Sequence, residues 1–264
     1  MKNKIVMIVL LILSLCLPIA CTNDIHISGD SNVAYTADAI CSAEQVFGQI
    51  SDMIRKTSAS VVKVTVEFSV LEEDKKQNYE ASGTGFFVSA NNKTYILVFS
   101  AGHLVRSGGR YQAYREDLNT GKKTTFPLTL AAFDKDLDFS VFSFNPKKLY
   151  FRSQPLLLAD SFIPAQKVFA IGAPGGLYLN YTEGYTASKI FTFDSKDDSD
   201  FKGDYILHSA AVSLGNSGGP LVNLKGEVVG INLAYFMPSE GYQQMSLAKP
   251  SYLIKKFLSK ILKK

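Results

Sequence analysis

The sequence predicts an all-β protein. About a dozen short runs rich in β-branched and aromatic residues recur along the chain. Polar turns separate them, and no long helical pattern intervenes between residue 60 and the C-terminal segment. Runs of this length and spacing build barrels or sandwiches rather than helix-covered parallel sheets.

In order, the runs are VVKVTVEFSV, GTGFFVS, TYILVFS, YQAYRE, TTFPLTLAAF, DFSVFSF, KVFAIG, GYTASKIFTF, YILHSA, GPLVNL, GEVVGINLAY and QMSLAK. The segments NNK at 91–93, NTG at 119–121 and LKG at 224–226 carry the residues that tight turns favour. Two helices flank the strands. Over 44–57, Val46, Phe47, Ile50, Met53 and Ile54 fall at helical spacing and predict a short amphipathic helix. At the C-terminus, Leu253, Ile254, Phe257, Leu258, Ile261 and Leu262 share one face, with lysines on the other. Such a stripe either packs on the strands or lies on a membrane.

The first 21 residues have a different character. Lys2 and Lys4 precede an apolar stretch from Ile5 to Leu17, and the small residue Ala20 stands before Cys21. This is the pattern of an export signal over 1–20, too short in its apolar part for the roughly 20 residues of a spanning helix. A cysteine in that place resembles a lipobox, with Pro18 where leucine is usual. Lipidation of Cys21 would make it the new N-terminus and tether the chain to a membrane. Plain secretion would leave Cys21 available to pair with Cys41. Residues 21–43 are polar and aperiodic and read as the tether, with the folded domain over 44–264.

Composition excludes some partners. The chain has 46% hydrophobic and 20% charged residues, as globular domains do. Of its 28 basic residues two, Lys2 and Lys4, lie in the leader, and the rest nearly balance 24 acidic ones. Nothing in that balance points to nucleic acid.

Candidate chemistry rests on few residues. His26 lies in the tether. His103 follows the run TYILVFS, and on its own it is either a buried structural side chain or a base. Asp138, preceded by the acidic Asp134 and Asp136, opens the run DFSVFSF, as a turn residue or as a carboxylate that orients a histidine. Ser217 sits in GNSGGP, which reads as a tight turn or as a nucleophile's setting. A serine hydroxyl attacks only with an adjacent base, a carboxylate holding that base, and donors for the oxyanion. Gly215 can aim its N–H beside that of Ser217. The chain order His, Asp, Ser is one of the known triad orders, and no GxSxG elbow surrounds Ser217.

Taken together, SGTGFFVS, TYILVFSAGHLV, DLDFSVFSF, VFAIGAPGGL and GNSGGPLVNLKGEVVGIN resemble the trypsin-like serine proteases, closest to the bacterial HtrA-type (DegP-like) envelope proteases. The likeness runs from about 58 to 235 and implies two six-stranded antiparallel β-barrels with the site in the cleft between them. It implies His103 as general base, Asp138 as its orienter and Ser217 as nucleophile. Gly215, Asn216 and Ser217 would form the oxyanion hole. Ala211, six residues before the serine, and the stretch Ile231, Asn232, Leu233 and Ala234 would bind substrate. With alanine at 211, a small or medium apolar side chain is expected at the cleaved position.

The resemblance implies a serine endopeptidase acting on polypeptides without cofactor or metal, in the cell envelope. Such proteases usually carry C-terminal PDZ domains, and this sequence shows none. Relatives often trimerise through N-terminal segments, so monomer and trimer both stay open. The acidic loop DSKDDSDFKGD at 194–204 reads as solvated rather than as a metal site, and His208 as structural. Two alternatives use the same residues: an inactive protease fold that holds a peptide, and a serine esterase.

Overall fold

The structure, a computed structural model, describes residues 37–72, 75–90, 95–118, 120–145, 154–193, 202–236 and 245–262. The leader, Cys21, most of the tether, the turn at 91–93 and most of the acidic loop lie outside these. The chain divides into two compact units, Met1–Asp52 and Met53–Lys264. The second unit holds every strand among the described residues.

Helix α1 spans Ala37–Ser58 and so begins within the stretch read as tether. From Ala37 to Phe47 no proline or glycine interrupts the backbone, so a helix propagates there without an apolar stripe to announce it.

Twelve strands follow, and each of the twelve predicted runs contributes one. They are β1 (Val61–Glu72), β2 (Lys75–Ala90), β3 (Tyr95–Ala101), β4 (Arg110–Glu116), β5 (Lys123–Asp134) and β6 (Phe139–Ser143), then β7 (Lys167–Gly172), β8 (Asn180–Phe193), β9 (Gly203–His208), β10 (Pro220–Asn223), β11 (Val228–Phe236) and β12 (Met245–Pro250). The first six close into an antiparallel barrel in the order β1-β2-β3-β6-β5-β4. The second six close likewise as β10-β11-β12-β9-β8-β7. The predicted double barrel holds.

β2 starts eight residues before its predicted run. Its extra length pairs with the outer half of β1, as in Glu72↔Lys75, on a largely exposed arm where no apolar alternation is required. Val62, Val64, Val98 and Phe142 share the inner face of the first barrel, Phe86, Phe99 and Phe139 are buried on its outer face, and Val168, Ile206, Leu221, Val229 and Ala248 cluster in the second barrel. The C-terminal helix α2 (Ser251–Ile261) buries Ile254, Phe257 and Leu258. The Phe257 ring meets Phe99 and Phe139 at 6.2 and 5.8 Å. The stripe therefore packs on the barrels, which settles the choice between packing and membrane for this face.

Candidate functional site

The first barrel presents an acid–base pair. In the register of β3 and β6, Ala101 faces Phe139. His103 lies two residues beyond β3 and Asp138 one residue before β6, so strand pairing alone makes them neighbours. Asp138 takes φ 57°, the left-handed region that aspartate tolerates better than most side chains. Both its oxygens are occupied. Oδ2 is 2.8 Å from Nδ1 of His103, and Oδ1 accepts the His103 backbone N–H at 2.5 Å. The Asp138 carbonyl also accepts the Gly102 N–H at 2.8 Å. A carboxylate facing Nδ1 fixes the proton there and leaves Nε2 with the lone pair. The pair is partly open, the histidine side chain 44% exposed and the aspartate 28%.

The second barrel presents the loop between β9 and β10. Gly215 takes φ 102°, and a Cβ there would lie 2.4 Å from the Ala173 carbonyl. Gly218 takes φ 88°, and a Cβ there would lie 2.1 Å from the Thr84 carbonyl. Two of the glycines in GNSGGP are thus required by conformation and by close backbone approach. The Leu214 carbonyl accepts the Gly175 N–H at 2.9 Å. In a trans peptide the carbonyl and the next N–H point oppositely, so the Gly215 N–H is turned away from Gly175. The Asn216 N–H donates to the Ser213 carbonyl at 3.0 Å. Among the described residues, the N–H groups of Gly215 and Ser217 have no acceptor.

A cavity of about 250 Å³ brings the two barrels' contributions together. It is lined by His103, Val212, Ser213, Leu214, Asn216, Ser217, Asn232, Leu233, Ala234 and Tyr235. The register of β11 against β12 shifts between Asn232 and Ala234, at Leu233. A bulge there re-aims the strand beside the cavity. The Leu233 carbonyl accepts the Ser217 hydroxyl at 3.1 Å. No hydrogen bond joins Ser217 to His103 in this rotamer.

The predicted site residues therefore divide. His103, Asn216, Ser217, Asn232, Leu233 and Ala234 line the cavity, and Asp138 stands behind His103. Ala211 is exposed, with its carbonyl accepting the Thr182 hydroxyl at 2.6 Å, and does not line the cavity. Ile231 is wholly buried and does not line it either. Val212, Ser213 and Tyr235 do, although no sequence signal marks them. Leu214, conspicuous only as the residue before Gly215, is 82% exposed at the rim.

Two buried titratable groups flank the site. His208 is 3% exposed beside Asn232, and burial pushes its imidazole down to about 4. Lys249 on β12 donates to the Lys202 carbonyl, and its Nζ lies 3.9 Å from the Tyr205 ring centroid. Burial lowers its pKa to about 8, against the pull of Asp204 and Asp138. Lys202 and Tyr205, with His103 and Asp138, wall a second cleft of about 530 Å³. Among the described residues, no group of three His, Cys, Asp or Glu side chains is placed to hold a metal ion.

Comparison with known proteins gives the same frame. Residues 83–231 match the family described as trypsin-like peptidase domain. The chain is 33% identical over 216 residues to serine protease HTRA1 of Xenopus laevis, an overlap of 80% of this chain and 42% of the relative. A probable periplasmic serine endoprotease, DegP-like, from Chlamydia pneumoniae is 31% identical over 193 residues, 73% of this chain and 37% of that one. Serine protease HTRA3 of Homo sapiens is 33% identical over 222 residues, 81% and 45% respectively. The chain spans less than half the length of these relatives.

Proposed function

The chain belongs to the trypsin-like peptidase family, and on that premise we propose that it is a serine endopeptidase that cleaves polypeptides through an acyl-enzyme. One observation carries the reading: the Asp138-bonded imidazole and the Ser217 hydroxyl line one cavity, beside a loop whose Gly215 and Ser217 N–H groups have no acceptor among the described residues.

Rotation about χ1 of Ser217 releases the hydroxyl from the Leu233 carbonyl and turns it to Nε2 of His103. The oxygen attacks the substrate carbonyl as its proton passes to Nε2. Asp138 holds the imidazole in the right tautomer and stabilises the imidazolium that forms. The carbonyl oxygen, now negative, accepts from the N–H groups of Gly215 and Ser217, with Asn216 completing the loop between them. A single donor of this kind is worth on the order of 10²–10³ in turnover. The imidazolium then protonates the leaving amine, and water, activated by the same base, hydrolyses the ester.

Val212, Leu233 and Ala234 supply an apolar wall, and among the described residues no carboxylate lines the cavity. That favours a small or medium apolar side chain at the cleaved position. From Ala234 to Phe236, β11 pairs with β12 but not with β10, which suits an extended peptide by strand addition. The leader and Cys21 support export with a lipid anchor at Cys21, and the periplasmic site named for the chlamydial relative supports the same location.

Labelling with a fluorophosphonate probe, beside casein hydrolysis and the variant Ser217→Ala, tests the reading. Wild-type labelling and cleavage, both abolished in the variant, are expected. Labelling without peptide cleavage would mark an esterase. Neither would mark a peptide-binding module.

A further inference from the structure

We propose that Thr84, a residue of the first barrel, positions the oxyanion loop of the second, an inference that rests on the endopeptidase reading. Thr84 lies on β2 and is wholly buried. All its polar groups are engaged. Its N–H donates to the Ser217 carbonyl at 2.8 Å, and its carbonyl accepts the Ser100 hydroxyl at 2.5 Å. Its Oγ1 lies 2.6 Å from the Gly215 carbonyl and 2.9 Å from the Ala173 N–H. A carbonyl only accepts and an amide N–H only donates, so the one hydroxyl proton must go to Gly215 and a lone pair to Ala173.

That single hydroxyl ties two pieces of backbone together. Ala173 opens the tight turn Pro174–Gly176, whose Gly175 N–H holds the Leu214 carbonyl. The carbonyls on both sides of the Gly215 N–H are therefore clamped: Leu214 by Gly175, and Gly215 by Thr84. With both fixed, the Gly215 N–H keeps one direction, away from the turn. A flip of the Leu214–Gly215 peptide would break the bond to Gly175 and turn that N–H out of position. Thr84 touches no reacting atom. It acts by making the donor ready before charge develops, which is where such donors gain their effect.

The sequence offers no sign of this, because a threonine in a β-run is ordinary. What singles it out is the carbonyl of a loop residue 131 positions away.

The test measures kcat and KM separately for Thr84→Val and Thr84→Ser in the otherwise intact chain. It adds inhibition by a peptide aldehyde, whose adduct carries the oxyanion, and by a product peptide, which carries none. For Thr84→Val, kcat should fall about 10- to 100-fold, with KM within about threefold, since only transition-state stabilisation is lost. Aldehyde affinity should fall by a similar factor, and product affinity should not change. Thr84→Ser, which keeps the hydroxyl, should stay within about threefold of wild type on the same scale.

If Thr84→Val does not fold, Thr84→Cys, with a weaker donor of similar size, should give an intermediate kcat. A folded Thr84→Val with wild-type kcat, a loss confined to KM, an unaltered Thr84→Cys, or a Thr84→Ser as impaired as the valine variant would overturn the inference alone. A wild-type protein inert to fluorophosphonate and casein would overturn it together with the endopeptidase reading.

Discussion

The two barrels are prepared to different degrees. In the first, His103 and Asp138 are already joined, and both carboxylate oxygens are occupied. In the second, the backbone around Ser217 is fixed, but the hydroxyl itself rests on the Leu233 carbonyl. On the proposed mechanism, base, orienter and backbone donors are set in advance, and the nucleophile alone has to turn. The difference follows from the kind of bond each part uses. Strand register and peptide geometry fix the first barrel's pair and the loop amides, whereas a serine side chain turns about one torsion. A substrate N–H reaching for the Leu233 carbonyl would compete for that acceptor and release the hydroxyl.

The largest expected effect breaks the prepared side. Asp138→Asn keeps the shape but can leave the proton on the wrong imidazole nitrogen, and kcat should fall by on the order of 10⁴ with KM little changed. Steady-state kinetics on a short peptide would check it, and a loss below tenfold would mean that His103 is held by something other than Asp138.

The smallest concerns stability and separates the barrels by pH. The imidazole of His208, in the second barrel, is lowered to about 4 in the folded chain, against about 6.5 when unfolded. The unfolded chain therefore takes up a proton between those values while the folded chain does not. The stability His208 confers is complete above pH ~6.5 and is lost as pH falls toward ~4, a change on the order of 3 kcal/mol. Melting temperatures of Ser217→Ala and of the double variant with His208→Asn, followed from pH 7 to 4.5, should diverge, the double variant losing less. Parallel curves would assign the acid sensitivity elsewhere.

How much of this was legible in the sequence depends on the kind of residue. All twelve strands were, because β-branched runs and polar turns mark each one. His103, Asp138 and Ser217 were readable as candidates because their chemistry needs particular residue types in a particular order. The start of α1 at Ala37 was not, since residues 37–43 carry no regular apolar stripe. Nor was the outer half of β2, which pairs in solvent. Within the site, Ala211 and Ile231 were expected to meet substrate, yet neither lines the cavity; Val212 and Tyr235 do. Which face of a loop or bulge is presented depends on register shifts such as the one at Leu233, and spacing along the chain does not encode them. Thr84 escaped for a related reason: the partners of its hydroxyl lie outside its own barrel.

The crystal structure of the wild-type protein with a peptide aldehyde bound to Ser217 tests the difference between prepared and unprepared parts most directly. The Leu214–Gly215 peptide should keep its orientation, with the Gly215 and Ser217 N–H groups about 2.7–3.1 Å from the adduct oxygen. Only the Ser217 side chain should have turned away from Leu233. A flipped Leu214–Gly215 peptide, or an adduct oxygen that meets neither N–H, would contradict the account.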